Sequence, residues 1–259
     1  MEKAGKAMKI IFATGNEGKM REIREILRDM DAEILSMKEA GIEIDIEENG
    51  STFEENAEIK ARAVAAAVRM TAGENAAART ATKVSAAVRT AARECAAAQT
   101  VAGAAYKATA VQAGETPDDI IVLADDSGLE IDALHKEPGI YSARYLGEDT
   151  PYSVKNKNLI DRLEGVPDNK RTARFVCAIA AVLPGGESIV SRGVIEGRID
   201  YEEKGSNGFG YDPIFYVPEF CATTAQLSAA EKNRVSHRAR ALEAMKEELK
   251  RRFDIWSGI

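Results

Sequence analysis

MKIIFATGNEGKMREIREILRDM, residues 8–30, changes its hydrophobic period partway along. It opens with a short apolar run containing the β-branched Ile10 and Ile11, the pattern of a buried strand. It closes with Met20, Ile23, Leu27 and Met30 spaced three and four residues apart, which makes one apolar helical stripe. A tight polar turn, TGNEGK, separates the two, so the unit reads as strand, turn, helix. Residues 1–7, MEKAGKA, carry neither period and read as a disordered N-terminal extension.

Working outward, STFEENAEIKARAVAAA predicts a second helix. Thr52 and Glu55 have the spacing of a capping box, with Asn56 and Lys60 on one face. Ile120, Ile121, Val122 and Leu123 predict a strand that stops at an acidic pair, Asp125 and Asp126, in DDSG. RTARFVCAIAAVLPGGESIVSRGVIEGRI predicts two long strands joined through Pro184, Gly185 and Gly186. Ser228 and Glu231 form another capping box, and Ser236 is placed to cap a further helix carrying Leu242, Met245, Leu249 and Phe253 at helical spacing. Alternating strands and helices with one hairpin predict an α/β fold around a mixed sheet, one domain over residues 8–259.

One segment departs from that plan. From 63 to 114 the chain is dominated by Ala, which favours helix and leaves little to bury. Val64 with Val68 and Val84 with Val88 suggest narrow seams, and Gly73 and Gly103 are the expected breaks. A helical insertion at a surface loop is the expectation, with a lid, a subunit contact or a partner surface as functional alternatives.

The 259 residues are 45% hydrophobic and 30% charged, as in soluble globular proteins. A net charge of -7 argues against a bulk nucleic-acid binder, so any polyanion bound should be small. Cys95, Cys177 and Cys221 are widely spaced and suggest neither a disulfide framework nor a zinc site; reduced, partly buried thiols are expected. No run approaches the roughly twenty apolar residues of a membrane span, and the start lacks a signal-peptide pattern. A cytoplasmic, membrane-free setting is the expectation.

Several stretches carry candidate chemistry. TGNEGK lies where free backbone amides and a helix dipole attract anions, and Lys19 adds a charge. Its spacing is too short for a P-loop, and Met20 stands where that motif needs Ser or Thr. Glu47 and Glu48 precede a helix cap, and a loop carboxylate there can join one from DDSG to hold Mg²⁺. GSNGFGYDPIFYVP brings glycines and aromatic rings together, suited to a planar ligand. Lys232, His237 and Arg238 offer donors for base carbonyls or phosphates.

TGNEGK, STFEENAEIKA, LADDSGLEIDAL with PGIYSARY, GFGYDPIF and EKNRVSHRARAL follow one another in the order of a single family. The chain closely resembles the inosine triphosphate pyrophosphatase family, enzymes that hydrolyse non-standard purine nucleoside triphosphates such as ITP, dITP and XTP. The resemblance covers all but the first residues and the Ala-rich segment. It implies an elongated mixed β-sheet with flanking helices, two lobes around a central nucleotide cleft, a Mg²⁺ requirement and a homodimer. The implied products are the nucleoside monophosphate and pyrophosphate.

Residue by residue, the resemblance implies that Thr14, Gly15, Asn16, Glu17, Gly18 and Lys19 hold the triphosphate, with Lys60 reaching it from its helix. It implies Glu47 and Asp126 as metal ligands, with Glu48 an open alternative to Glu47. Asp126 is also the implied base for water, with Ser127 contacting the nucleotide. Phe209, Gly210, Tyr211 and Asp212 are implied as the base pocket, completed by Lys232, His237 and Arg238. Two competing readings are a Maf-type nucleotide pyrophosphatase, disfavoured by the absence of a Ser- and Arg-rich start, and a nucleotide-binding scaffold.

Overall fold

The computed structural model describes residues 8–83, 107–108 and 120–253. The opening unit forms as its periods dictate: β1 (Met8–Phe12) turns through ATGN into α1 (Glu17–Ile26), where the Asn16 side chain accepts the Lys19 amide as a cap. Then come β2 (Ala32–Ser36), β3 (Ile42–Glu43), α2 (Phe53–Lys83), β4 (Lys107–Ala108) and β5 (Ile120–Ile131). After them follow α3 (Tyr152–Arg162), β6 (Thr172–Val182), β7 (Ser188–Ile199), β8 (Phe215–Val217), β9 (Ala222–Thr223), α4 (Ala229–Val235) and α5 (His237–Arg252).

Seven strands form one mixed sheet in the order β2-β1-β5-β6-β7-β8-β9. β1 runs parallel to β2 and β5, while β5, β6 and β7 pair antiparallel over long stretches. β6 and β7 make the expected hairpin around Pro184, Gly185 and Gly186.

The strand expected to end at the acidic pair does not end there. β5 continues through Asp125, Asp126, Ser127 and Gly128, and its register with β6 holds from Val122 opposite Val182 to Ile131 opposite Ala173. Alternation along the strand then sorts its residues by face. Val122 and Ala124 pack under α2 with Ala57, Ala61 and Val64. Ile121 and Leu123 pack under α1 and α5 with Ile23, Leu242 and Met245. Further along, Leu129 and Ile131 join a third core with Leu159, Phe175 and Phe215. The acidic pair therefore lies where β5 passes from the first two cores to the third.

Val64, Ala65, Ala67 and Val68 are buried against the sheet, so the Ala-rich stretch first completes the core before leaving it. Gly73 does not break α2, which runs on to Lys83; strong helix formers on both sides offset a cost of about 1 kcal/mol for one Gly. Lys107–Ala108 forms β4, antiparallel to β3, in a segment expected to be helical. Val84, Val88, Gly103 and Cys95 lie outside the described residues, as does the 1–7 extension. Cys177 is buried and Cys221 exposed, both free, so the expectation of partly buried thiols fails for Cys221.

Candidate active site

Consecutive strand residues face opposite ways, so the two acids of DDSG serve different faces of the sheet. Asp125 turns toward α1 and α5, where Lys19 Nζ lies 3.0 Å from its carboxylate and Arg238 Nη2 lies 3.2 Å away. Burial alone raises its pKa, but Lys19, Arg238 and Lys60 together hold it well below the usual carboxylate range. Asp126 turns toward α2, where Asn56 Nδ2 donates to Oδ2 at 3.1 Å and Lys60 Nζ donates to Oδ1 at 3.4 Å. Here burial wins over Lys60 and Asn56, and the carboxyl is pushed up.

Asn56 and Lys60 share a face because they are four residues apart on α2. Thr52 accepts the Glu55 amide as a cap, while Glu55 reaches one residue further back than a capping box requires, to the Ser51 amide. Asn56 also accepts the Gly50 amide at 2.8 Å, which ties down the loop before the helix. That loop turns Glu48 inward, with its carboxylate 3.1 Å from Lys60 Nζ, and leaves Glu47 exposed. The inward position implied for Glu47 is thus occupied by Glu48. Burial lowers the Lys60 pKa, yet Asp126, Asp125 and Glu48 raise it above its ordinary value, so the ammonium persists.

On the other face, Glu22 of α1 bridges Lys232 Nζ at 2.9 Å and the Arg238 guanidinium. Asp212 accepts from Lys232 at 2.7 Å, from the Phe209 amide at 2.8 Å and from Thr224 Oγ1 at 2.8 Å. Gly208 permits this: at φ +74 it adopts a backbone that side chains disfavour, and a Cβ there would sit 2.1 Å from the Asp212 carboxylate. The Phe209 ring lies over Lys232 Nζ at 4.8 Å and the Arg238 guanidinium at 5.7 Å. Tyr211 is committed elsewhere, donating its hydroxyl to the Ser142 carbonyl at 2.7 Å.

His237 and Arg238 open α5, capped by Ser236 as its position suggested. Gly193 on β7 lets that helix start touch the sheet, because a Cβ there would meet the His237 carbonyl at 2.1 Å. His237 stacks on Phe175 at 4.8 Å, and its buried Nδ1 has no hydrogen-bond partner among the described residues. Burial, then the charges of Arg238 and Lys232, keep its pKa well below the ordinary value, so the ring is neutral.

Two cavities result. One of about 320 Å³ has Phe209, Tyr211, Tyr152, Lys232, His237 and Arg238 in its walls, with Ser127 at its edge. The other, about 440 Å³, is lined by Thr14, Gly15, Lys19, Glu48, Lys60 and Asp125. Lys19 lines both cavities, whereas its partner Asp125 lines only the second. Asn16 and Gly210 reach the first cavity, whereas Glu17, Gly18, Glu47 and Asp126 line neither; Asp126 lies beside Lys60, which lines the second. Glu17 instead supplies an acid to the first turn of α1. Glu22 and Tyr152 escaped the sequence reading, and Asn56 was placed beside Lys60 without being given a role in the site. The i, i+3 spacing of Glu22 from Lys19 and the i, i+4 spacing of Asn56 from Lys60 were the available signals.

Lys19 thus stands in the walls of both an aromatic-lined cavity and one that carries Lys60, Glu48 and Asp125, on the mixed sheet of an α/β fold. The chain belongs to the Ham1 family, whose model matches residues 10–78 and 72–248. It is 41% identical over 242 residues to the dITP/XTP pyrophosphatase of Clostridium perfringens, covering 93% of this chain and 97% of that one. Among solved structures it is similar to the Ham1 protein of Staphylococcus aureus, with a TM-score of 0.68 and 33% identity over 95% of this chain and 100% of that one. The Ham1 protein of Coxiella burnetii matches at a TM-score of 0.68 and 34% identity, over 94% and 99% of the respective chains.

Proposed function

We propose that this protein hydrolyses non-standard purine nucleoside triphosphates, ITP, dITP and XTP, to the monophosphate and pyrophosphate. The observation that carries the reading is the junction at Lys19, where a pocket for a planar ring meets a cavity for phosphates. In this reading the base stacks on Phe209 and takes hydrogen bonds from the Lys232 and Arg238 side of its pocket. A 6-oxo purine accepts there, whereas adenine presents an amino group and leaves buried donors unpaired.

At the other end, Lys19 and Lys60 meet the triphosphate in the cavity that Thr14 and Gly15 also line. Asp126 takes the proton of the attacking water, held in place by Asn56. Attack at the α phosphorus forms the new P–O bond as the bridging oxygen leaves with pyrophosphate.

The residues fit a divalent cation. Glu48 and Asp126 already flank one ammonium, Lys60 Nζ, at 3.1 and 3.4 Å, and two hard carboxylates are what Mg²⁺ accepts beside water and phosphate. Among the described residues no group of three or more acidic, His or Cys side chains is arranged to hold a metal by itself, so phosphate and water would have to supply the other positions. Glu48 and Asp126 would hold a Mg²⁺ there, which would supply neutralisation of phosphate charge.

The family resemblance also implies a homodimer, and a cytoplasmic setting stays the expectation; no described helix is long and apolar enough to cross a membrane. Light scattering on the purified chain tests the first. The reaction itself is tested by phosphorus NMR of the products from ITP: pyrophosphate with IMP supports the reading, and orthophosphate with IDP contradicts it.

A further inference from the structure

Lys38 lies in the turn between β2 and β3 and lines the phosphate cavity but not the base pocket. It was not among the residues singled out from the sequence. Its neighbours hold it in a defined turn: the Gly41 amide donates to the Lys38 carbonyl at 3.1 Å, and the Ile42 amide to Met37 at 2.8 Å. Ile42 is buried in the core under α2, which anchors the far end of the turn.

The charges around the cavity make Lys38 distinct. Lys19 is paired with Asp125, and Lys60 with Glu48 and Asp126. Both therefore enter the site already neutralised by carboxylates, while a triphosphate brings several negative charges. Among the described residues Lys38 has no carboxylate at ion-pair distance. The adjacent acid, Glu39, is turned away, pairing with Arg24 and accepting from Ser36. Lys38 is thus a cation lining this cavity whose charge is not cancelled in place.

We propose that Lys38 binds the distal phosphates of the substrate, the part that leaves as pyrophosphate, and so sets the preference for triphosphate over diphosphate. The inference rests on the proposed hydrolysis for the identity of the substrate. Its place follows from the cavities: Lys19 lines both, whereas Lys38 lines only the one away from the base pocket.

The test is calorimetric binding of pyrophosphate and, separately, IMP, each with Mg²⁺, to the wild type, Lys38→Ala and Lys38→Arg. The alanine variant is expected to weaken pyrophosphate binding about tenfold, the worth of one charge-assisted contact, with the arginine variant restoring most of it. IMP binding, which lacks the distal phosphates, stays unchanged, and the ITP over IDP preference in turnover falls with pyrophosphate affinity. Equal pyrophosphate binding by wild type and alanine variant overturns the inference, as does a parallel loss of IMP binding. Because pyrophosphate binding needs no turnover, a wild type that binds it through Lys38 yet leaves ITP intact would count against the proposed hydrolysis alone.

Discussion

Asp125 and Asp126 are neighbours on one strand and point to opposite faces of the sheet, each into a different set of partners. Asp125 holds Lys19 and Arg238 together, and Asp126 is held by Asn56 and Lys60. Asp125 gathers cations and lines the second cavity, whereas Asp126 sits against Lys60; in the proposed function Asp126 is the base for the attacking water.

That division predicts opposite outcomes for two isosteric changes. Asp125→Asn leaves the buried Arg238 with one carboxylate fewer and should cost about 3 kcal/mol of stability, read by urea denaturation. Asp126→Asn should retain more of the fold and lose pyrophosphate release from ITP.

The Asp125 ion pairs also set a pH dependence. Its folded pKa is depressed below the ordinary 3.8, so its ionised form favours the fold above that value. The benefit is lost as pH falls below about 3.8 toward the lower folded value. The stability gap between wild type and Asp125→Asn should be full near neutral pH and shrink on acidification through that window. A gap that widens with acid would contradict the sign.

Asn56→Ala removes the donor to Asp126 and the acceptor for the Gly50 amide together. We expect kcat for ITP to fall about tenfold to a hundredfold, with a smaller change in KM. A change confined to KM would show that Asn56 acts on binding instead.

Gly193→Ala places a methyl against backbone atoms of α5, 2.1 Å from the His237 carbonyl and 2.4 Å from the Ala241 amide. Backbone yields less readily than a side-chain tip, so stability should fall by about 1–3 kcal/mol. The helix start carries His237 and Arg238, so KM for ITP should rise as well. Unchanged values of both would mean that the helix shifts freely.

Where a local pattern decided an element, the sequence made it legible. The apolar run, polar turn and helical stripe of residues 8–30, the Pro184-Gly185-Gly186 hairpin and the Ser228–Glu231 box each act through near neighbours. The continuation of β5 through DDSG was not legible, because buried carboxylates are tolerated in a strand only when paired. Asp125 finds Lys19 and Arg238 from positions 106 and 113 residues away along the chain. Glu48 turning inward instead of Glu47 depends likewise on Lys60 across the loop. Lys38 carried no local signal at all, since its interest lies in having no carboxylate at ion-pair distance among the described residues.

The most direct measurement is pyrophosphate release from ITP and XTP against ATP, with Mg²⁺ present or chelated, in the wild type and Asp126→Asn. Turnover of the 6-oxo purines should exceed that of ATP by about a hundredfold or more and vanish with chelator and in the variant. Equal turnover of ATP, or an active Asp126→Asn enzyme, would refute the assignment of this cleft.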